Sequence, residues 1–436
     1  MLPNGVAVVK AFQESHSRVY GPVPAAAFVV GTVVGTGIYL KPGLVAALLT
    51  EPWQIYLIWF LGGAFATSGA LVYTHLAANW PENGGPFVYL RAVYGPWAAS
   101  LLLAADVFLA RPAAVGALAS GLGLIWGLPP GPGLALALVT VSGLSLIQLL
   151  GRRFQGWSQT ALTILQLLPL SAIVVTAQFH ESSGQSGWTG EALSPQWAAA
   201  FLAVLWAYDG WYNITILAGE VRSPQKTLRG SLFGGMALVT SLYLVLNWVL
   251  LENVPRERLI DEPIGFLLVL QDWKLGWLGA ATQLALSAAL LATLNGTLAC
   301  GARMIVAGAS DGLLNQGVGK EPTALRPTLC FALWCIGLLA LFGGLDLQKN
   351  LFDSLTEFTA VIVAALSALT VSCLFHCRQF ENEPGLAARS AGVFYLAVTV
   401  VLLMLLVKEA NWMGLAGVGT VGLLGTFLWV RGLDNP

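Results

Sequence analysis

The stretch FVVGTVVGTGIYLKPG, residues 28–43, is apolar sequence interrupted by Gly31, Thr32, Gly35, Thr36 and Gly37. A second interruption stands in LWAYDGWYNITILAGE, residues 205–220, where Asp209-Gly210 sits among aromatic side chains. Neither holds a nucleophile beside a base, so the chemistry on offer is recognition by backbone. A helix broken inside a membrane frees N–H and C=O groups, which are tolerated only where they line a cavity or meet a ligand. The half-helix after a break presents several N–H groups and a positive dipole end, a place for a carboxylate. The half-helix before it ends in carbonyls, a place for an ammonium. A zwitterionic α-amino acid has both groups, and glycine lets it approach because no Cβ intervenes. For the first stretch alone, close helix packing through small residues is an equal explanation. The matching interruption at 209–210 favours the break.

The elements that must carry these breaks follow from composition. The chain has 436 residues, 56% of them hydrophobic and 10% charged, with a mean hydropathy of +0.74; soluble domains carry about 25% charged residues. Apolar runs long enough to cross a hydrocarbon core of about 30 Å recur throughout, so the chain reads as a polytopic all-α membrane protein embedded in a lipid bilayer. Twelve spans are expected: 23–50, 53–80, 86–124, 132–150, 157–178, 195–220, 228–252, 275–312, 327–343, 351–375, 387–406 and 411–431. Lys and Arg placement gives the orientation. With the N-terminus in the cytoplasm, fourteen of the 21 basic residues fall on the cytoplasmic side and six outside, with Arg111 inside span three. Both termini are thus expected in the cytoplasm, in a plasma (inner) membrane, with residues 1–22 as a cytoplasmic segment rather than a cleaved signal and 432–436 as a tail.

Spans one and six then open two five-helix halves, 23–178 and 195–376, with two further spans in 387–431. Interrupted segments at corresponding positions of two halves point to a transporter's binding site near the bilayer midplane. A net charge of −1 argues against nucleic acid as a partner. The five cysteines, Cys300, Cys330, Cys335, Cys373 and Cys377, have no zinc spacing and read as buried thiols.

Five segments, in order, resemble the amino acid–polyamine–organocation superfamily, in its L-type amino acid transporter-like branch and of bacterial type. GTVVGTGIYLKPG is similar to the span-one motif G-T-I-I-G-S/T-G-I-F-x-x-P. WAYDGW followed by GEVRSPQKTLRGS resembles the span-six core and its G-E-V-x-x-P exit, and PENGGPFVYLRAVYG (81–95) the segment before span three. Arg111-Pro112 and LNGTLACGARMIVAGASDGLL (294–314) resemble parts of spans three and eight. The resemblance implies a LeuT-like fold of two inverted five-helix repeats plus two C-terminal helices, and alternating access around the midplane site. Carried over by motif, amides around Gly35, Thr36 and Gly37 would hold the substrate carboxylate. Carbonyls of Val33, Trp206, Ala207 and Asp209 would receive the ammonium. Trp206 stands at the position of an aromatic outer gate, and Tyr212 with its neighbours would meet the substrate side chain. Thr293 and Asn295 on span eight are polar at helical spacing and are expected either to face the cavity or to bond neighbouring backbone.

The departures bear on coupling and specificity. Gln166, in TILQLLPL, stands where many relatives have a lysine whose ammonium takes the place of a sodium ion. An amide cannot supply that charge, so either a cation fills the space, with span-one carbonyls and Thr293 as ligands, or transport is coupled without a charge there. Intramembrane ionisable groups are functional candidates by default. Asp209 could pair with a cation, carry a proton or hold the unwound turn. Glu357 on span ten is a candidate for proton coupling, and Asp106 and Arg111 on span three could neutralise each other. Glu220 is expected to pair with an arginine of the following VRSPQKTLR segment. No cofactor is expected beyond sodium or a proton as coupling ion.

The implied function is secondary transport of neutral L-amino acids, by exchange or ion-coupled uptake. The alternatives are a cationic amino acid, polyamine or amine carrier, and a sensor that binds an amino acid without moving it. No enzyme is expected. Some relatives bind a glycoprotein through a cysteine between spans three and four; IWGLPPGP here (125–132) has none, so no disulfide-linked heavy chain is expected at that position.

Overall fold

The computed structural model describes residues 18–179, 196–262, 264–275, 278–319, 325–344, 348–376, 380, 383–408 and 425–426. In chain order the helices are α1 (Pro22–Val33), α2 (Thr36–Leu48), α3 (Pro52–Asn79), α4 (Pro86–Tyr94), α5 (Pro96–Leu103), α6 (Arg111–Ile125), α7 (Pro130–Gln148), α8 (Arg152–Ala177) and α9 (Trp197–Tyr208). They continue as α10 (Asn213–Ile216), α11 (Pro224–Asn253), α12 (Arg256–Asp261), α13 (Gly265–Asp272), α14 (Leu278–Ser310), α15 (Gln316–Gly319), α16 (Leu325–Gly344), α17 (Gln348–His376) and α18 (Leu386–Lys408). A π-helical segment, Ala104–Ala110, joins α5 to α6, and a 3-10 turn, Ala218–Glu220, follows α10. Among the described residues the only β pairing is in isolated bridges, Tyr20 with Val221 and Asn83 with Leu217.

Six helices open on proline at their start: α1, α3, α4, α5, α7 and α11. Proline fits there because its missing N–H is one the helix leaves unpaired and its φ is already helical. Among the described residues, eight helical stretches are long and apolar enough to cross a membrane, and three shorter apolar helices, within α9, α16 and α17, accompany them. The arrangement is that of a multi-pass all-α membrane protein. The twelfth expected span, 411–431, lies outside the described residues apart from 425–426, as do residues 1–17 and the tail 432–436.

Burial separates centre from periphery. In the most apolar windows of α1–α2, of the α5–α6 run and of α14, 71%, 72% and 78% of residues are buried, against 28% in α8 and 22% in α18. The two interrupted segments and the long helix carrying Thr293 and Arg303 therefore sit among the most enclosed parts of the protein.

The expected single span at 86–124 is corrected. It comes as α4, α5, a π segment and α6, broken first at Gly95-Pro96, where Gly95 has φ +83°. Pro112 shapes the second irregularity. Lacking an N–H, it cannot bond the Phe108 carbonyl one turn back, and the Trp334 indole N–H of α16 donates to that carbonyl instead (3.3 Å). The segment between spans seven and eight is also more structured than its sequence suggested. There α12 packs on α2, with Arg256 Nε donating to the Ala46 carbonyl (2.9 Å). Finally, Cys330 is exposed, whereas Cys300, Cys335 and Cys373 are buried. Position 330 falls on the outward face of α16, as exposed Leu329 and Leu333 beside it show. Cys377 lies outside the described residues.

Candidate functional site

Both expected breaks are present. Helix α1 stops at Val33; Val34 and Gly35 leave helical geometry, and α2 begins at Thr36 with no side-chain cap on its first turn. Helix α9 stops at Tyr208, Asp209 is extended, and a turn through Gly210 (φ +97°) leads to α10. Donors at the start of α2 and acceptors at the ends of α1 and α9 are the backbone inventory expected of a zwitterion site; of these, the Gly35 N–H already bonds the Val33 carbonyl (2.7 Å) and the Trp206 carbonyl takes the Asp209 N–H (3.2 Å).

The two breaks touch. Gly37 lies directly against the Cα of Ala207, so any Cβ there would collide with α9. Gly210 leaves no room either: a Cβ would lie 2.6 Å from the Thr32 carbonyl oxygen. The Thr32 hydroxyl reaches the Gly210 carbonyl at 3.0 Å. On the other side, Gly35 faces Thr293, whose hydroxyl reaches the Gly31 carbonyl (3.3 Å) and its own helix at Ala289 (3.1 Å). Thr293 therefore joins α14 to the span-one break.

The carbonyls of Val33 and Ala207 converge, and the point on which they converge is a side chain absent from the sequence reading. The Tyr243 hydroxyl of α11 is 3.0 Å from each of them. One hydroxyl carries one hydrogen, so it donates to one carbonyl at a time. Tyr243 is held edge-on against Trp59 (5.4 Å between rings) and tilted against Tyr208 (5.0 Å), while the Tyr208 hydroxyl donates to the Trp59 carbonyl (3.0 Å). This aromatic group braces α9 and α11 against α3.

Trp206 and Tyr212 are both 8% exposed. Tyr212 belongs to a ring cluster with Trp211 (5.5 Å) and Tyr73 (6.1 Å), and Tyr73, Asp106, Tyr212, Met304 and Ser367 line a narrow cleft beside it. Asp209 joins none of the ion pairs found among the described residues. Arg111, whose guanidinium bonds Asn213 at the end of the same turn, is committed elsewhere. Its Nε and Nη2 grip the two oxygens of Asp106 at 2.8 Å each, and Nη1 donates to Asn213 Oδ1 (3.2 Å).

Asn295 is placed differently. Its amide nitrogen donates to Gln159 Oε1 (2.9 Å), and its oxygen accepts from Gln148 Nε2 (2.6 Å), so it joins α14 to α7 and α8. It meets a buried polar line along α8, Gln155, Gln159, Thr163 and Gln166, of which the sequence pointed only to Gln166. Their spacing of four, four and three residues was the available signal, since it places them on one helix face. Thr163 donates to the Ala27 carbonyl of α1 (2.9 Å). Gln166 is fully buried, and neither of its amide atoms meets a partner among the described residues.

Glu220 pairs otherwise than expected. Neither Arg222 nor Arg229 takes it; Arg303 does, through Nε (3.0 Å) and Nη2 (3.1 Å), with Asn83 at 3.2 Å and Arg152 at 3.7 Å. The correction has a geometric cause. The chain pairs Val221 with Tyr20, which turns Arg222 outward to the Arg18 carbonyl (2.8 Å), while Glu220 faces inward toward α14. The side chains of Thr36 and Glu357 lie outside the described residues.

The sequence is 30% identical to a serine/threonine exchanger of Bacillus subtilis (strain 168) over 243 residues, 54% of this chain and 55% of that protein. It is 25% identical to the human cystine/glutamate transporter over 375 residues, 81% and 74% of the two chains. A rat b(0,+)-type amino acid transporter 1 is 24% identical over 437 residues, 96% of this chain and 89% of that one. The match to the Bacillus exchanger thus spans about half of that protein, whereas the rat transporter is matched along most of its length. These relatives are transporters and exchangers, not enzymes. A model of the amino acid permease family matches residues 20–427, and with the paired breaks in place the chain belongs to that family.

Proposed function

We propose that the protein is a secondary transporter of neutral L-amino acids, working by alternating access, with the substrate held between the broken segments 33–37 and 206–212. One observation carries the reading. The uncapped start of α2 and the carbonyl ends of α1 and α9 lie in direct contact, through Gly37 on Ala207 and Thr32 on Gly210. The amides at Gly35, Thr36 and Gly37 then take the carboxylate, and the carbonyls of Val33, Trp206, Ala207 and Asp209 take the ammonium once Tyr243 yields its place. Trp206 closes over the site, and Tyr212 with the cleft beside it receives the side chain. Pairing of Arg111 with Asp106 cancels the charge of a guanidinium that reaches the start of α10, which supports neutral over acidic substrates. The paired breaks also support two inverted five-helix repeats of LeuT-like form, 23–178 and 195–376, and the placement of Lys and Arg supports both termini in the cytoplasm of a plasma-membrane protein. The Bacillus exchanger favours exchange as the mode.

Uptake of radiolabelled alanine, serine and leucine into proteoliposomes, with and without internal amino acid, tests the reading. Saturable uptake that internal substrate accelerates is the expected result. Binding without uptake makes the protein a sensor, and competition by arginine or putrescine stronger than by alanine makes it a cationic amino acid or polyamine carrier; either outcome overturns the proposal.

A second reading concerns coupling. Gln166 is buried on the face of α8 whose Thr163 bonds α1, with an amide that no described side chain or carbonyl meets, which supports a sodium ion between Gln166 Oε1, Thr293 and span-one carbonyls. Uptake that is unchanged when choline replaces sodium at constant pH sinks it.

A further inference from the structure

The buried pair on span three does more than cancel charge. Asp106 and Arg111 are five residues apart. In an α-helix that spacing turns the second side chain about 140° away from the first. Here the Ala104–Ala110 segment is π-helical, a form with i→i+5 bonding that brings fifth neighbours onto one side and is frequent at functional sites. The result is a two-pronged grip on Asp106, with Arg111 and Asp106 side chains 3% and 9% exposed. Held this way, the guanidinium has one arm left over, and Nη1 points it across to Asn213 Oδ1, 3.2 Å away.

Asn213 is the first residue of α10, directly after the turn through Asp209 and Gly210. Its side chain goes to Arg111, its N–H to the Gly210 carbonyl (3.1 Å), and its carbonyl accepts from the Cys300 thiol of α14 (3.4 Å). The internal hydrogen bonds of the turn, Asp209 N–H to the Trp206 carbonyl (3.2 Å) and Asn213 N–H to the Gly210 carbonyl (3.1 Å), set its shape and not its position in the bundle. Contacts from other helices must do so, and Arg111 supplies a charge-assisted one.

We infer that Arg111, fixed by Asp106 across the π-helical turn, is a positioning residue: it anchors Asn213 and so places the 209–212 turn against span one. The inference rests on reading that turn as part of the amino acid site. Arg111 acts through Asn213 and not by touching substrate; Thr32 still holds the Gly210 end of the turn, so loss of either partner loosens the Asn213 end, beside Tyr212.

Cys300 supplies a readout that is independent of transport. In the anchored turn its thiol is fully buried against the Asn213 carbonyl. In the full-length protein with Cys330, Cys335, Cys373 and Cys377 replaced by serine, membrane-permeant N-ethylmaleimide should label Cys300 slowly. Asn213→Ala should speed labelling about tenfold and raise the substrate KM by a similar factor while leaving maximal exchange nearly intact, the effect of one lost charge-assisted bond. Arg111→Gln combined with Asn213→Ala should label no faster than Arg111→Gln alone. Asn213→Asp, which keeps an acceptor for Arg111, should label at the parent rate. Unchanged labelling in Asn213→Ala, or additive effects in the double variant, overturns the inference. Should Arg111→Gln fail to fold, the comparison of Asn213→Ala with Asn213→Asp decides alone: a difference in labelling supports the anchor and equality refutes it. If labelling follows the expected order in a protein that moves no amino acid, the anchor stands and the transport reading falls.

Discussion

The Thr32 hydroxyl lies 3.0 Å from the Gly210 carbonyl, tying the broken part of span one to the broken part of span six. The same hydroxyl is 2.7 Å from the Phe28 carbonyl of its own helix, and it has one hydrogen to give. The tie is therefore exchangeable: it can be released without stranding the donor. Gly210 makes the approach feasible, with a φ of +97° and no Cβ. Gly210→Ala should cost about 1–3 kcal/mol through backbone strain alone. The expected outcome is a lower unfolding temperature of the purified protein and loss of uptake. Thr32→Val, which keeps the shape, should affect substrate affinity more than thermal stability.

Tyr243→Phe removes a single oxygen and leaves the ring stack on Trp59 and Tyr208 in place. The Val33 and Ala207 carbonyls then lose their shared donor. If the ammonium of the substrate competes with that hydroxyl, the apparent affinity shifts by about tenfold, the scale of one net hydrogen bond, with little change in unfolding temperature. Exchange kinetics measured separately from each face of the proteoliposome check this; equal kinetic constants for variant and parent on both faces would remove Tyr243 from the site.

Glu220 and Arg303 form a buried ion pair that also engages Asn83, Gln155 and the Ala299 carbonyl. Glu220→Gln leaves a guanidinium without its counter-charge, and breaking such a pair from one side costs about 3–5 kcal/mol. Arg303→Met in the same chain should recover a large part of that loss, because the uncompensated charge goes with it. Thermal unfolding of the two single variants and the double variant gives the comparison. Stability of Glu220→Gln equal to that of the parent would mean that the pair is solvated.

Gln166→Lys places an ammonium where a buried amide now stands. If sodium is the coupling ion, parent uptake falls when choline replaces sodium, and the variant transports equally well in either salt. Uptake assays at constant pH with sodium varied read this directly.

Most of the spans and both breaks were legible in the sequence because they are written in local signals: apolar run length, glycine clusters, and a carboxylate in an apolar run; the span at 86–124 is broken at Gly95-Pro96, and that at 411–431 lies outside the described residues apart from 425–426. What joins the breaks was not. Tyr243 reads as one more aromatic in an apolar helix, since its two partners lie 210 and 36 residues away. Glu220 was matched to the nearest arginines, whereas its partner is 83 residues downstream. Asn295 was assigned by type and spacing on its own helix, and the glutamines that claim it on α7 and α8 were visible only as isolated amides. The glutamine line on α8 could have been found, because its periodicity is in the sequence; hydropathy averaging over the span concealed it.

Pro112 and Trp334 are bound by a division of labour that crosses more than two hundred residues. Proline withholds a donor from the Phe108 carbonyl, and the indole of another helix supplies one. An evolutionary consequence follows. A lineage that replaces Pro112 supplies a local N–H and releases Trp334, which is 43% exposed, to drift among other apolar residues. A lineage that loses Trp334 first takes away the donor from the other helix while proline still offers none. The two positions are therefore expected to change in order, the proline ahead of the tryptophan.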